Sequence, residues 1–369
     1  MPKRRIRLAL LYGGRSAEHP VSVVSARSVT EALDPDRFEV VPIGITRNGA
    51  WMLPARPPLE LTAPEGELPE VEAAGTAVAL RPERHAAAIA PLSLGGTAVD
   101  LEAVDVVFPL LHGPYGEDGT VQGLFELAGL PYVGSGVLAS ALAMDKAMAK
   151  VVFAAAGIEQ APYLVVREGE WRADADAVYA RVGGQLTYPV FTKPARLGSS
   201  IGITKVKAPE ALGDGLEAAF AHDAKVVVEQ GLDARELECG VLGNETPEAS
   251  VVGEIVPGHE FYDFEAKYLD DAASLVIPAP VPDAVAERVR ALALHAFRAL
   301  DCAGLARVDF FYEEASGRVL VNEVNTIPGF TPRSMFPMLW AASGVGYSDL
   351  IAKLVDLAVQ RHAANADKS

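Results

Sequence analysis

Two short segments near the C-terminus carry side chains able to hold a hard cation. They are Ala306-Arg307-Val308-Asp309-Phe310-Phe311 and Leu320-Val321-Asn322-Glu323-Val324-Asn325. In a strand, alternate residues share a face. Arg307 and Asp309 therefore point one way, as do Glu323 and Asn325. If the segments form a hairpin centred on Ser316, Asp309 lies opposite Glu323 and Arg307 opposite Asn325, while Val308, Phe310 and Val324 enter the core. Two carboxylates and an amide suit Mg²⁺ held jointly with substrate phosphates. The competing reading is a surface salt-bridge ladder worth under ~1 kcal/mol. A ladder would draw on Lys and Glu, without an Asn and a following Thr326-Ile327-Pro328-Gly329 loop.

A second segment, Lys193-Pro194-Ala195-Arg196-Leu197-Gly198-Ser199-Ser200-Ile201-Gly202, runs from a strand into a lysine and a loop of glycines and serines. Such a loop offers backbone N–H groups to phosphate oxygens, and the lysine adds charge. Neither GxxxxGK(S/T) nor a post-strand GxGxxG is present. Gly198-x-Ser200-x-Gly202 matches a hydrolase nucleophile pattern, with His259 or His295 as partner. A nucleophile elbow needs a helix after the serine, however, and Ile201–Val206 reads as a strand.

Three further segments have two readings each. Gly13-Gly14-Arg15-Ser16-Ala17-Glu18-His19 places Glu18 at a helix N-terminus, as a ligand contact or as part of a cap. Leu111-His112-Gly113-Pro114-Tyr115-Gly116-Glu117-Asp118-Gly119-Thr120 offers His112 as a substrate contact or as a satisfied histidine. Phe261-Tyr262-Asp263-Phe264-Glu265-Ala266-Lys267-Tyr268 is a lid over a charged ligand or a plain loop.

The elements that must position these groups follow from apolar periodicity. Strands are expected at Arg5–Tyr12, Glu39–Ile45 and Asp105–Leu111, with a helix at Val21–Leu33, which predicts a parallel α/β sheet with ligand loops at the strand ends. Residues 54–96, rich in proline, alanine and glutamate, read as a loop-rich insertion. Val137–Ala156 reads as one long helix closed by Gly157. Strands are expected at Tyr188–Thr192, Ile201–Val206 and Val226–Glu229, and they dominate from Glu236 to Pro278. A helix at Val285–Leu300, the hairpin and a C-terminal helix complete the chain. The expected units are 1–134, 135–229 and 230–369.

The 369 residues are 50% hydrophobic and carry a formal net charge of −17, from 49 acidic and 32 basic residues. That balance argues against nucleic acid as the main partner. No apolar run approaches the ~20 residues of a bilayer span. The apolar stretch after the basic start is too short for a signal peptide and ends at Gly13-Gly14. Cys239 and Cys302 read as two buried thiols in a reducing cytoplasm.

In this order and spacing, from Gly13 to about Trp340, the motifs resemble the D-alanine–D-alanine ligase family. The resemblance implies a three-domain ATP-grasp architecture, α/β and α+β, whose N-terminal domain is a parallel α/β unit. It implies ATP, contacted by Lys146, Lys193, Glu229 to Leu232 as adenine hinge, Glu236 and Lys267. Asp309, Glu323 and Asn325 match the ligands of two Mg²⁺ ions, with Mn²⁺ able to substitute. The implied reaction joins two D-alanines. One carboxylate takes the γ-phosphoryl group, and the second amine then attacks the acyl phosphate. Arg307 matches the arginine that stabilises the developing charge, and Glu18 the residue that holds the first ammonium. Ser199 and Tyr268 match its partners in a hydrogen-bonded triad. His112, Gly329, Ser334, Met335 and Lys267 are expected near substrate or transferred phosphate.

Pro20 and Met335 depart from residues common in the family, without removing a catalytic group. The 54–96 segment suits the family's larger-subunit branch, in which homodimers are usual. The Glu265-Ala266-Lys267-Tyr268 lid matches the dipeptide-forming type rather than the resistance type that uses D-lactate. The remaining rivals are another carboxylate–amine ligase of the fold, a hydrolase, and an inactive nucleotide-binding scaffold, whose metal or phosphate motifs would be degraded. A soluble cytoplasmic enzyme without membrane partners is the expectation.

Overall fold

The computed structural model describes residues 4–61, 68–80, 89–91, 104–256 and 274–366. Three sheets organise it. In the first, β1 (Ile6–Gly13) is buried along nearly its whole length and pairs in parallel with β2 (Phe38–Ile45) and β6 (Val106–Pro109). A strand covered on both faces needs the continuous apolar run that Leu8 to Tyr12 supplies. Helix α1 (His19–Ala32) packs back onto it through Val23, Ala26 and Val29.

Beyond β2 the sheet continues with β3 (Trp51–Pro54), β4 (Gly75–Leu80) and β5 (Ile89–Pro91), all antiparallel. The expected parallel sheet is thus extended by antiparallel strands, and the segment read as a loop-rich insertion supplies two of them. The short strands β4 and β5 lie in a Pro- and Ala-rich stretch whose periodicity is too weak to read. The insertion also closes over the motif loop. A Cβ on Gly13 or Gly44 would come within 2.7 Å of Val71, and the Val71 N–H donates to His19 Nε2 at 2.9 Å.

The second sheet, in the order β7-β10-β8-β9, is antiparallel. It comprises β7 (Tyr163–Arg167), β8 (Val190–Pro194), β9 (Thr204–Val206) and β10 (Lys225–Gln230). The strand expected from Ile201 starts only at Thr204, because Ser199 and Ser200 sit at φ 50° and 58° and Gly202 at φ 72°. Left-handed backbone turns the chain there instead of extending it.

The third sheet has the order β13-β12-β11-β14-β15. Its strands are β11 (Arg235–Gly243), β12 (Glu248–Val256), β13 (Ser274–Val276), β14 (Gly304–Glu313) and β15 (Arg318–Asn325). Helix α8 (Asp283–Ala299) buries Val289, Ala293 and Phe297 against Leu237, Cys239, Val308 and Phe310 on one face.

The expected long helix is two, α3 (Val137–Met144) and α4 (Lys146–Ala155). Asp145 breaks it at ψ 94° and caps the second helix by accepting the Met148 N–H at 3.1 Å. The capping favours a new start over continuation. Both helices pack with α8 and the third sheet. The C-terminal region likewise divides into α9 (Met335–Ala342) and α10 (Tyr347–Ala366). Leu350, Ile351, Leu354 and Val355 of α10 join the core of the first sheet, so the chain end ties the third sheet to the first. Cys239 and Cys302 are buried and unbridged, and burial pushes both thiols up to about 12.

Candidate active site

The β14–β15 hairpin places Arg307 opposite Asn325 and Asp309 opposite Glu323, in the register that alternation predicts. A bulge after Asp309 then makes Phe310 face Val321, skipping Asn322, so the turn side is offset by one residue from a symmetric hairpin. Bulges of this kind re-aim side chains beside functional sites. Arg307 grips Asp309 through Nε and Nη2, both at 2.7 Å, and its Nε lies 3.0 Å from Glu238 Oε2. Burial opposes the Arg307 charge, but Asp309 and Glu238 hold its pKa well above the ordinary value. Asn325 donates from Nδ2 to Asp309 at 2.9 Å. Lys146, the first residue of α4, reaches Glu323 at 3.2 Å and the Leu197 carbonyl at 2.8 Å.

Among the described residues no three Asp, Glu, His or Cys side chains converge to cage a metal by themselves. The face instead offers two carboxylates and an amide oxygen, whose charge Arg307 and Lys146 now balance. That donor set fits a hard cation that takes its remaining ligands from phosphate and water.

Lys193 is held inside the fold. A lysine waiting for phosphate should face solvent, yet Lys193 is only 9% exposed and ion-paired with Glu229. Lys150, one helical turn beyond Lys146, pairs with the other oxygen of Glu229. Burial would raise the Glu229 pKa, but the two ammonium groups overcome it and pull it down to about 2. The Glu229 side chain is therefore held by lysines, at the start of the link from β10 to β11 that contains Leu232. Glu236 shares a face of β11 with Glu238, opposite Phe311 and Asp309 respectively.

Across the site, Ser199 Oγ donates to Glu18 Oε1, joining the glycine-serine loop to the N-terminus of α1. Glu18 caps no N–H with its side chain and is 8% exposed. The Gly113 backbone lies against it, since a Cβ there would stand 2.8 Å from Glu18 Oε2. His112 is buried, and its Nδ1 bonds the Ile327 carbonyl at 3.0 Å. A carbonyl only accepts, so the proton is on Nδ1 and Nε2 is a bare acceptor. Burial lowers the His112 pKa and keeps the ring neutral, against the pull of Glu18.

Ser334 stands at the N-cap position of α9 without a side-chain capping bond, and its Oγ lies 2.9 Å from Thr331 Oγ1, next to Gly329. Met335 is 4% exposed, in a cluster with Ile255 and Leu339; its side chain fills the core rather than a pocket wall. Lys267 and Tyr268, with the rest of the expected lid, lie outside the described residues, as does His259. Among the described residues the hydrolase geometry is absent: a turn and β9 follow Ser200, and His295 is exposed on α8.

Three residues of the site were missed. Lys150 was visible as an i+4 partner of Lys146, and Glu238 as an i+2 partner of Glu236. Glu117 gave no signal beyond its motif. Its carboxylate accepts the Gly113 N–H at 2.6 Å and the Ile327 N–H at 3.2 Å. Burial and the charge of Glu18 push its pKa up to about 8, against those two bonds and Arg307.

Comparison with known proteins places the whole chain in a family. The family models described as D-ala D-ala ligase N-terminus and D-ala D-ala ligase C-terminus match residues 7–135 and 152–356. The D-alanine--D-alanine ligase of Mycolicibacterium vanbaalenii is 53% identical over 371 residues, covering 97% of this chain and 98% of the relative. That of Geobacillus thermodenitrificans is 50% identical over 358 residues, covering 97% and 96%. Among solved structures, the D-alanine-D-alanine ligase from Coxiella burnetii superposes with a TM-score of 0.83 at 33% identity, covering 98% of this chain and 96% of that one. The VanG D-Ala:D-Ser ligase from Enterococcus faecalis gives 0.82 at 36% identity, covering 96% and 100%. With near-complete coverage on both sides, the chain is a ligase and belongs to the D-alanine–D-alanine ligase family.

Proposed function

We propose that this chain joins two D-alanines into D-alanyl-D-alanine, with ATP converted to ADP and phosphate, as a step of cell-wall precursor synthesis. The observation that carries the residue roles is the in-register face of Arg307, Asp309, Glu323 and Asn325, reached by Lys146. Asp309, Glu323 and Asn325 hold two Mg²⁺ ions, which neutralise phosphate charge when bound. Lys146 and Lys193 bind the phosphates; Lys193 must first leave Glu229, and Lys150 then keeps that carboxylate compensated. Residues 229–232, with Glu236, receive the nucleoside, and Lys267 adds charge from the lid.

The first D-alanine presents its ammonium to Glu18, where His112 Nε2 offers a second acceptor. Its carboxylate attacks the γ-phosphate and gives an acyl phosphate. The amine of the second D-alanine, held near Gly329 and Ser334, attacks the carbonyl. Arg307, cationic throughout, stabilises the oxyanion of the tetrahedral intermediate, and phosphate leaves. Ser199 and Tyr268 tie Glu18 to the loop and lid. The three sheets support units at 1–134, 135–229 and 230–369. No described helix is long and apolar enough to cross a membrane; a cytoplasmic location and a homodimer are part of the proposal.

The solved D-Ala:D-Ser relative makes the second substrate the point to test. With ATP, Mg²⁺ and equal D-alanine, D-lactate and D-serine at about pH 6 to 9, D-alanyl-D-alanine should dominate. The lid tyrosine is neutral below its reference pKa of ~10 and does not repel an ammonium. Mainly depsipeptide or D-alanyl-D-serine at neutral pH would overturn this reading.

A further inference from the structure

The loop after β15 passes between the charged face and the first sheet, and one residue of it is gripped from both sides. The Ile327 N–H donates to Glu117 Oε1 at 3.2 Å, and its carbonyl accepts from His112 Nδ1 at 3.0 Å. Both gripping side chains belong to the single loop that joins β6 to α2 (Thr120–Ala128), more than two hundred residues away in the chain. That loop is itself held in place. Glu117 Oε2 accepts the Gly113 N–H at 2.6 Å, Gln122 Nε2 donates to the Gly116 carbonyl at 2.7 Å, and Ser16 Oγ to the His112 carbonyl at 2.7 Å. Downstream, Phe330 is 1% exposed and packs edge-on against Phe108 of β6, with ring centroids 5.6 Å apart. Between grip and anchor lie Pro328 and Gly329.

We propose that Glu117 is a positioning residue for the second half of the ligation: with His112 it clamps the Ile327 backbone and so fixes where Gly329 meets the second D-alanine. This rests on the proposed role of Gly329 at that substrate. Glu117 uses both carboxylate oxygens, one inside its own loop and one across to Ile327. Only a side chain with two acceptors can make both bonds. A glutamine of the same shape has one acceptor oxygen and turns its NH₂ toward the other N–H, so one arm of the clamp is lost.

The test is Glu117→Gln, with rate recorded against D-alanine to give separate constants for its two molecules, and against ATP. Measured at about pH 9, where a carboxyl whose pKa is pushed up to about 8 is ionised and has two acceptors, the second D-alanine KM should rise about tenfold, the scale of one lost charge-assisted hydrogen bond. The constants for ATP and the first D-alanine should stay within about twofold, and amide exchange over 326–330 should quicken. Glu117→Asp, which keeps two acceptors at shorter reach, should show a smaller rise in the same constant. An unchanged second KM in Glu117→Gln overturns the inference, and so does a uniform loss in all constants with a large fall in melting temperature. Gly329→Ala separates that failure from failure of the Gly329 role, since its added Cβ would meet Ser334 Oγ at 3.2 Å. If Gly329→Ala raises the second KM and Glu117→Gln does not, the clamp is wrong and the Gly329 role stands. If neither does, the Gly329 role falls with it.

Discussion

The charged groups of the second and third sheets and the loop edge of the first sheet converge on the same site by opposite construction. Arg307, Asp309, Glu323 and Asn325 stand on paired strands, and Lys193 and Glu229 on adjacent ones, so strand register fixes their neighbours. Glu18, His112, Glu117 and Ser199 stand on loops. Their places are set by hydrogen bonds to groups far away in the chain, the Ile327 backbone for His112 and Glu117 and each other's side chains for Glu18 and Ser199, and by left-handed backbone at Gly113, Ser199 and Gly202. Strand-borne charges are few to move and costly to unbalance. Loop-borne groups depend on many small contacts, each of which can be removed with a smaller effect.

The sharpest break of this comparison should come at the buried strand-borne ion cluster. Glu229→Gln leaves Lys150 and Lys193 buried without their shared carboxylate, and should cost about 3–5 kcal/mol in urea unfolding. The pH dependence has a fixed sign. The Glu229 pKa falls from 4.5 to about 2 on folding, so its stabilisation is complete above the unfolded value and is lost as pH drops from 4.5 toward 2. The variant should show a flatter acid limb in that window. Equal stability and an unchanged limb would make the cluster incidental.

Glu323→Gln comes next. It keeps shape but removes a charge from the cation face, and kcat should fall by roughly 10²-fold, the scale of one strong electrostatic contact in a transition state. Circular dichroism and melting should stay near wild type, because Glu323 is partly exposed. Near-normal kcat would refute its metal role. On the loop side, Ser199→Ala removes one hydrogen bond to a carboxylate, and kcat/KM for D-alanine should drop roughly tenfold. A loss as large as that of Glu323→Gln would erase the proposed difference between loop and strand groups. The smallest effect is expected outside the site. Arg37→Ala breaks an exposed pair with Asp356, and stability should change by less than ~1 kcal/mol.

The same contrast explains what could be read from the residues alone. The faces of β14 and β15 follow from period-two alternation, so the opposition of Asp309 to Glu323 was legible before any coordinates. The bulge at Asn322 was not, since nothing in composition marks a one-residue slip. Lys193 was read as the first residue of the loop after a strand ending at Thr192, whereas β8 runs on to Pro194; its partner Glu229 is 36 residues away, and sequence spacing does not show which strands pair. Asp145 lay hidden inside an apolar helical pattern, although Asp is a good helix start. The outer strands β4 and β5 escaped because strands of 6 and 3 residues carry too little alternation to read. The Ile327 clamp was beyond reach, since it joins side chains to backbone groups that every residue possesses.

The most direct test of the account is phosphate release from ATP by the purified chain with D-alanine, with L-alanine and with no amino acid, each with and without EDTA, and with dipeptide quantified alongside. The account predicts release only with D-alanine and divalent metal, at one phosphate per D-alanyl-D-alanine. Equal release with L-alanine, full activity in EDTA, or phosphate without dipeptide would contradict it.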